Sequence, residues 1–179
     1  MDAMLKVATA IDALTDRFAE IAKWAVLLSC LISAGNAVVR YLADYSSNAL
    51  LEVQWYLFAA CVMLGASQVL RLNEHVRVDV LYGQYSGRVQ AWVDLLGLVL
   101  FLMPVTILMI YFAWPLFVKM YQTGEMSSNS GGLIRWPAML LLPVGFTLVL
   151  LQGISEAIKR AAWLGGKYQG EFHYERPLQ

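Results

Sequence analysis

A chain of 179 residues with 59% hydrophobic content and zero formal net charge is too short for a membrane bundle plus a sizeable soluble domain. Balanced charge also removes the basic footprint that nucleic-acid binding needs. Every piece outside the bilayer is therefore a loop or a tail.

Residues 3–20 place Met4, Val7, Ile11, Leu14, Phe18 and then Ile21 at helical spacing, with Asp12, Asp16, Arg17 and Glu20 elsewhere around the wheel. The pattern predicts an amphipathic N-terminal helix. It either lies on the cytoplasmic surface or against a partner, or it runs on as a cytoplasmic extension of the first span.

Four uncharged stretches follow, at 24–39, 53–70, 95–118 and 136–155, and about 20 apolar helical residues cross about 30 Å of hydrocarbon. Lys23 and Arg40 lengthen the first by lying along the helix with their heads in the interface, and residues 49–51 lengthen the second. The expectation is an all-α membrane protein with four transmembrane helices at about 21–42, 50–70, 92–118 and 136–158, an amphipathic segment at 3–20 and a tail at 159–179, all in one domain. The first span begins after about twenty charged, helix-like residues without an A-x-A cleavage site, so it reads as retained rather than as a signal peptide. Four crossings put the termini on one side, and ten of the thirteen Lys and Arg residues fall on that side, which predicts an N-in/C-in orientation.

Ser29, Ser33, Asn36 and Arg40 recur at i, i+4, i+7 and i+11, forming a small and polar stripe on span one that should face protein rather than lipid. Glu52 opens span two just across the short outer turn at 43–49, which predicts an Arg40–Glu52 ion pair clamping the hairpin. Cys30 and Cys61 sit inside apolar spans and read as packing residues. Gln68 at the end of span two lies at a depth similar to Gln152 and Glu156, an i, i+4 pair in span four. These three are expected to bond across helices or to hold the inner loop through Arg71, Arg77 or His75. That loop, at 71–90, carries His75-Val-Arg77-Val-Asp79, whose alternation has a strand period; an unpaired strand would leave its backbone unsatisfied, so the bundle or another subunit must tie it down.

Span three carries Pro104 and Pro115, each expected to kink it. The longest outer loop, 119–135, is rich in Gly, Ser and Asn around Glu125. Span four opens at Trp136-Pro137, where proline at a helix start is harmless, and Pro143 with Gly145 should bend it one turn in. Catalysis finds no support. The two histidines, His75 and His173, lie in a loop and in the tail, and neither metal-ligand spacing nor a nucleophile with its base can be assembled. The chain is not expected to be an enzyme.

The landmarks in order are Asn36 to Arg40-Tyr41, Glu52, Gly65, His75-Val-Arg-Val-Asp79, Asp94, Gly131-Gly132-Leu133 leading to Trp136-Pro137, Pro143-x-Gly145-Phe146, and Gln152-Gly-x-Ser-Glu156. This series, from about residue 15 to 162, resembles the small membrane subunit (Q, DctQ-like) of tripartite ATP-independent periplasmic (TRAP) transporters. The resemblance implies a bacterial inner-membrane location and two protein partners, a large membrane subunit (M) and a soluble periplasmic substrate-binding protein (P). It also implies sodium-driven import of a small organic acid, with the sodium and substrate sites on the large subunit and no cofactor in this chain. The small subunit would enlarge the fixed scaffold and help receive the binding protein, for which Asp44, Lys119, Glu125 and Arg135 on the outer loops are the candidates. The competing reading is a membrane anchoring or assembly protein that recruits a partner through its inner loop and amphipathic start.

Overall fold

The computed structural model describes residues 2–45, 47–74 and 82–168. The expected elements His75, Arg77 and Asp79 lie outside the described residues, as does His173. Four helices carry the fold: α1 (Asp2–Ala43), α2 (Asn48–Leu72), α3 (Gly87–Thr123) and α4 (Trp136–Leu164). All four are long and apolar enough to cross a membrane. Among the described residues the only extended pairing is an isolated antiparallel bridge between Met126 and Ile134, in the loop before α4.

α1 is one unbroken helix of 42 residues, or about 63 Å at 1.5 Å per residue. The amphipathic segment is thus the first half of the same rod as span one, which decides for the extension over a separate surface helix. The face it buries is also different from the apolar stripe expected. Met4, Val7, Leu14 and Ile21 point outward, whereas Ala8, Thr15, Ala19, Ala22 and Ala25 are buried. Small side chains let two backbones come close, and that wins in a membrane, where large apolar side chains are equally at home outside.

Positions 8, 15, 22, 29 and 36, buried except for the half-buried Ser29, are seven apart, the repeat that keeps a seam facing its partner in a left-handed supercoil. Of the expected polar stripe, Ser29 and Asn36 lie on this seam. Ser29 donates to the Gln54 carbonyl at 3.2 Å and Asn36 is buried. Ser33 and Arg40, four residues off, rotate outward and are exposed.

α4 is the hub. It packs against α1, α2 and α3, while α1 pairs with α2 as a hairpin and α3 is held through α4. Thr15 meets Gln152, and Ala22 packs with Leu64 and Leu148. α1 and α4 are therefore antiparallel, and the start of the first helix lies beside the end of the last. We call this the terminal end and its opposite the far end.

The prolines act unequally. Pro104 has no N–H to offer the carbonyl of Leu100, and the helix widens into a π turn over Leu98–Leu102, with the Met103 N–H reaching Leu98 O. Just beyond it, the Thr106 hydroxyl donates back to Leu102 O at 2.8 Å. Pro115 and Pro143 sit within α-helix that continues unbroken on both sides. Gly145 has a packing reason. A Cβ there would lie 2.7 Å from the Met63 side chain and 2.8 Å from the Met63 carbonyl oxygen, so only glycine lets α4 approach α2 this closely.

Gly145→Ala is expected to lower stability by ~1–3 kcal/mol through overpacking. Gly65→Ala, whose added carbon would meet Ala22 at an ordinary 3.6 Å, is expected to change little; thermal unfolding of both variants in detergent compares them.

Candidate functional sites at the two ends of the bundle

At the far end, the carboxylate of Glu52 projects from the second turn of α2 into the loop between α3 and α4. It accepts from the Asn129 side-chain amide at 2.8 Å and the Leu133 N–H at 2.7 Å, and from the Ser127 hydroxyl in a short bond. Glu52 is only 3% exposed. The loop closes on itself as well: Ser127 N–H bonds Leu133 O at 2.8 Å and Arg135 N–H bonds Glu125 O at 2.9 Å. Gly131 supplies a positive φ of 70° at the turn. Gly132 passes so close that a Cβ would sit 2.6 Å from Ser127 Cβ and 2.8 Å from Glu52 Oε1. Two further bonds from α2 fasten the loop, Asn48 to Ser130 O at 2.9 Å and Tyr56 to Ile134 O at 3.1 Å.

This corrects the expected hairpin clamp. Glu52 is taken up by loop donors, and no Arg40–Glu52 ion pair forms among the described residues; Arg40 is exposed on α1. A buried carboxylate needs several donors at once, and a closed loop of backbone and short side chains supplies three that a long, exposed arginine cannot replace. Of the docking candidates, Glu125 and Arg135 pair with each other at 2.9 Å, each about 40% exposed. Asp44 and Lys119 are exposed without such a pair, Asp44 at a positive φ of 50°.

At the terminal end a polar layer joins α1, α2, α3 and α4. Gln152 is fully buried. Its carbonyl accepts from Thr15 at 2.8 Å, and its amide donates to Asp12 at 2.9 Å and to Glu156 at 3.3 Å. Ser155 donates to Asp12 at 2.8 Å and to the Ala8 carbonyl at 3.2 Å. Lys159 bridges Asp12 and Glu156 at 2.6 and 2.9 Å. Arg160 holds Glu156 in a short bond and reaches Asp94 of α3 at 3.1 Å. Arg71 of α2 pairs with Asp16 at 2.6 Å and donates to the Asp12 carbonyl at 3.2 Å.

Of the expected pair, Gln152 bonds across helices, to Thr15 and Asp12, whereas Glu156 bonds Gln152, Lys159 and Arg160 of its own helix. Gln68, expected beside them, is half-buried and enters none of the hydrogen bonds of the described residues. Sequence reasoning missed Asp12, Thr15, Ser155, Lys159 and Arg160 as site residues. A signal existed in α4, since 152, 155, 156 and 159 are polar at i, i+3, i+4 and i+7 and share one face. The Ser127, Asn129 and Leu133 donors had no comparable signal beyond the glycine pair beside them.

A cavity of about 440 Å³ opens at this layer, lined in part by Asp12, Arg71, Gln90, Asp94, Glu156 and Arg160. Its charges are already engaged with one another, and no group of three potential metal ligands stands together among the described residues. The chemistry of both ends is that of fastening. Between them, inside the bundle, lies an apolar cluster of Ala22, Leu64 and Leu148 with Phe18, Ala60, Leu141 and Val144.

Two outcomes follow. Glu52→Ala is expected to release the 124–135 loop, read as new protease cleavage there, whereas Arg40→Glu leaves the loop protected. Glu156→Ala leaves Lys159 and Arg160 without their shared carboxylate, and should cost ~3 kcal/mol, measured by thermal unfolding in detergent.

Comparison with curated proteins and with solved structures returned no match. A family model, that of the DctQ component of tripartite ATP-independent periplasmic transporters, matches residues 29–162. That range runs from the Ser29 contact with α2 to the last buried alanine of α4, and takes in both Glu52 with its loop and the Gln152–Arg160 face. With about three quarters of its length matched, and with four helices able to span a membrane, the chain belongs to the DctQ family and is the small permease subunit of a tripartite ATP-independent periplasmic transporter.

Proposed function

We propose that this subunit is a fixed scaffold in a bacterial inner membrane, with both termini in the cytoplasm, that braces the large membrane subunit and helps receive a periplasmic substrate-binding protein. The observation that carries this is the segregation of charge. The buried ionisable groups lie at the two ends of the bundle, each held by several partners, and among the described residues the interior between them holds no buried ionisable group and centres on an apolar cluster. An ion or organic acid crossing this bundle would meet no relay of titratable groups in its interior, of the kind that transport paths use. The sodium and substrate sites then belong to the large subunit, and import of a small organic acid is driven from there.

The orientation rests on charge. By the order of the spans in the sequence, ten of the thirteen Lys and Arg residues fall on the side of the termini, the bias that keeps loops cytoplasmic. The far end then faces the periplasm, and the Glu52-held loop presents the Glu125–Arg135 pair there on a rigid base. A preorganised loop loses less entropy on docking than a free one. Asp44 and Lys119, exposed at the same end, complete the surface proposed to meet the binding protein.

Reconstitution tests the division of labour. In liposomes with an inward sodium gradient, this chain alone is expected to move no organic acid, and uptake is expected only when the large subunit and the binding protein are added. Uptake by the isolated chain would overturn the scaffold role.

A further inference from the structure

The outward faces of α1 and α3 differ in a way that says which of them meets protein. α3 carries no charged residue from 95 to 118, and its exposed side chains there, such as Phe101, Leu108 and Phe112, are apolar. That face suits lipid. On α1, Arg17 and Glu20 stand on the face opposite the buried seam with Lys23 on its flank, and Glu20 and Lys23 pair at 3.0 Å with side chains 60% and 64% exposed.

The depth of Lys23 is fixed by the packing, while Arg17, two residues from Thr15, lies at the level of the polar layer itself. Ala22, next to Lys23, packs with Leu64 and Leu148. Leu64 is seven residues from Arg71 and Leu148 eight from Glu156, which places Lys23 about 10 Å inside the polar layer at 1.5 Å per residue. The far end of α1 is displaced in the same sense. Val38, Tyr41 and Leu42 are exposed, although Asn36 is the last buried residue of the helix. Relative to α2 and α4, α1 therefore carries Lys23 inward of the polar layer at one end and leaves apolar side chains beyond its neighbours at the other. Exposed charge at such depth is costly against lipid and is met by protein groups instead. Arg17 is exposed, with no ion pair or hydrogen bond among the described residues.

Building on the scaffold reading, we propose that the outward face of α1, and not that of α3, is the seat of the large membrane subunit. The partner surface carries a carboxylate opposite Arg17 and polar groups against the Glu20–Lys23 pair. It is apolar where it covers Trp24, Leu31 and Val38.

The test uses the co-expressed transporter in its own membranes. In a Cys30→Ser, Cys61→Ser background, Leu31→Cys on α1 and Leu108→Cys on α3 are labelled with a benzophenone maleimide and irradiated; the two sites are matched at 59% and 54% exposure. The expected result is a cross-link to the large subunit from Leu31→Cys and none from Leu108→Cys. With the large subunit co-purifying on the unlabelled chain, any other pattern overturns this placement and leaves the scaffold reading standing. If no large membrane chain co-purifies at all, both fall. A second variant reads the charges directly. Glu20→Leu with Lys23→Leu should reduce recovery of the complex at least fivefold while the isolated chain melts no lower in detergent; unchanged recovery would show that lipid covers this face.

Discussion

The bundle hangs on one face of α4. Gln152, Ser155 and Lys159 reach from it to α1 and Arg160 reaches Asp94 of α3, with Glu156 holding Lys159 and Arg160 between them. Each of these groups is buried or nearly so, and each has partners, which is the condition under which polar side chains can be enclosed at all. In a lipid medium the hydrophobic effect does not choose between helix–helix and helix–lipid contact, so polar bonds and close backbone approach must do so. α4 supplies both: the polar layer at its end, and Gly145 against Met63 nearer its start.

The far end repeats the logic with a loop in place of a helix. Glu52 is one carboxylate holding three donors from a twelve-residue connection. A loop with its own cross-bonds and an anchor in α2 behaves as part of the bundle rather than as a tether. The π turn in α3 is the opposite device. Pro104 removes a donor, and the helix gains width at Leu98–Leu102. Leu102 in that turn is the side chain that closes on Gly153 of α4, so the local irregularity lies where α3 meets its support.

Charge held at both ends around an apolar interior describes a brace better than a conduit. On the proposed scaffold role a rigid bundle gives a moving partner something to move against, and the contrast between the outward faces of α3 and α1 is the reason for seating that partner on α1. The same polar layer that fixes α1 against α4 also sets how deep Lys23 sits, which links internal packing to the external seam.

That four helices are long and apolar enough to span a membrane, that the first begins beside the end of the last, and the family were all readable in the sequence. Each is a property of local composition or of residue order: twenty apolar residues in a helix cross a bilayer whatever surrounds them, and an even number of crossings returns the chain to its starting side. Which face of α1 turns inward was not readable, because large apolar residues satisfy lipid and protein alike and the seam is chosen by the small residues that fit α2 and α4. Nor was the partner of Glu52. Arg40 is near in sequence, but the carboxylate goes to Ser127, Asn129 and Leu133, more than seventy residues away. Only the tertiary structure brings those donors together, since the hydrogen bonds of a buried carboxylate are decided by which groups the packed helices deliver to it.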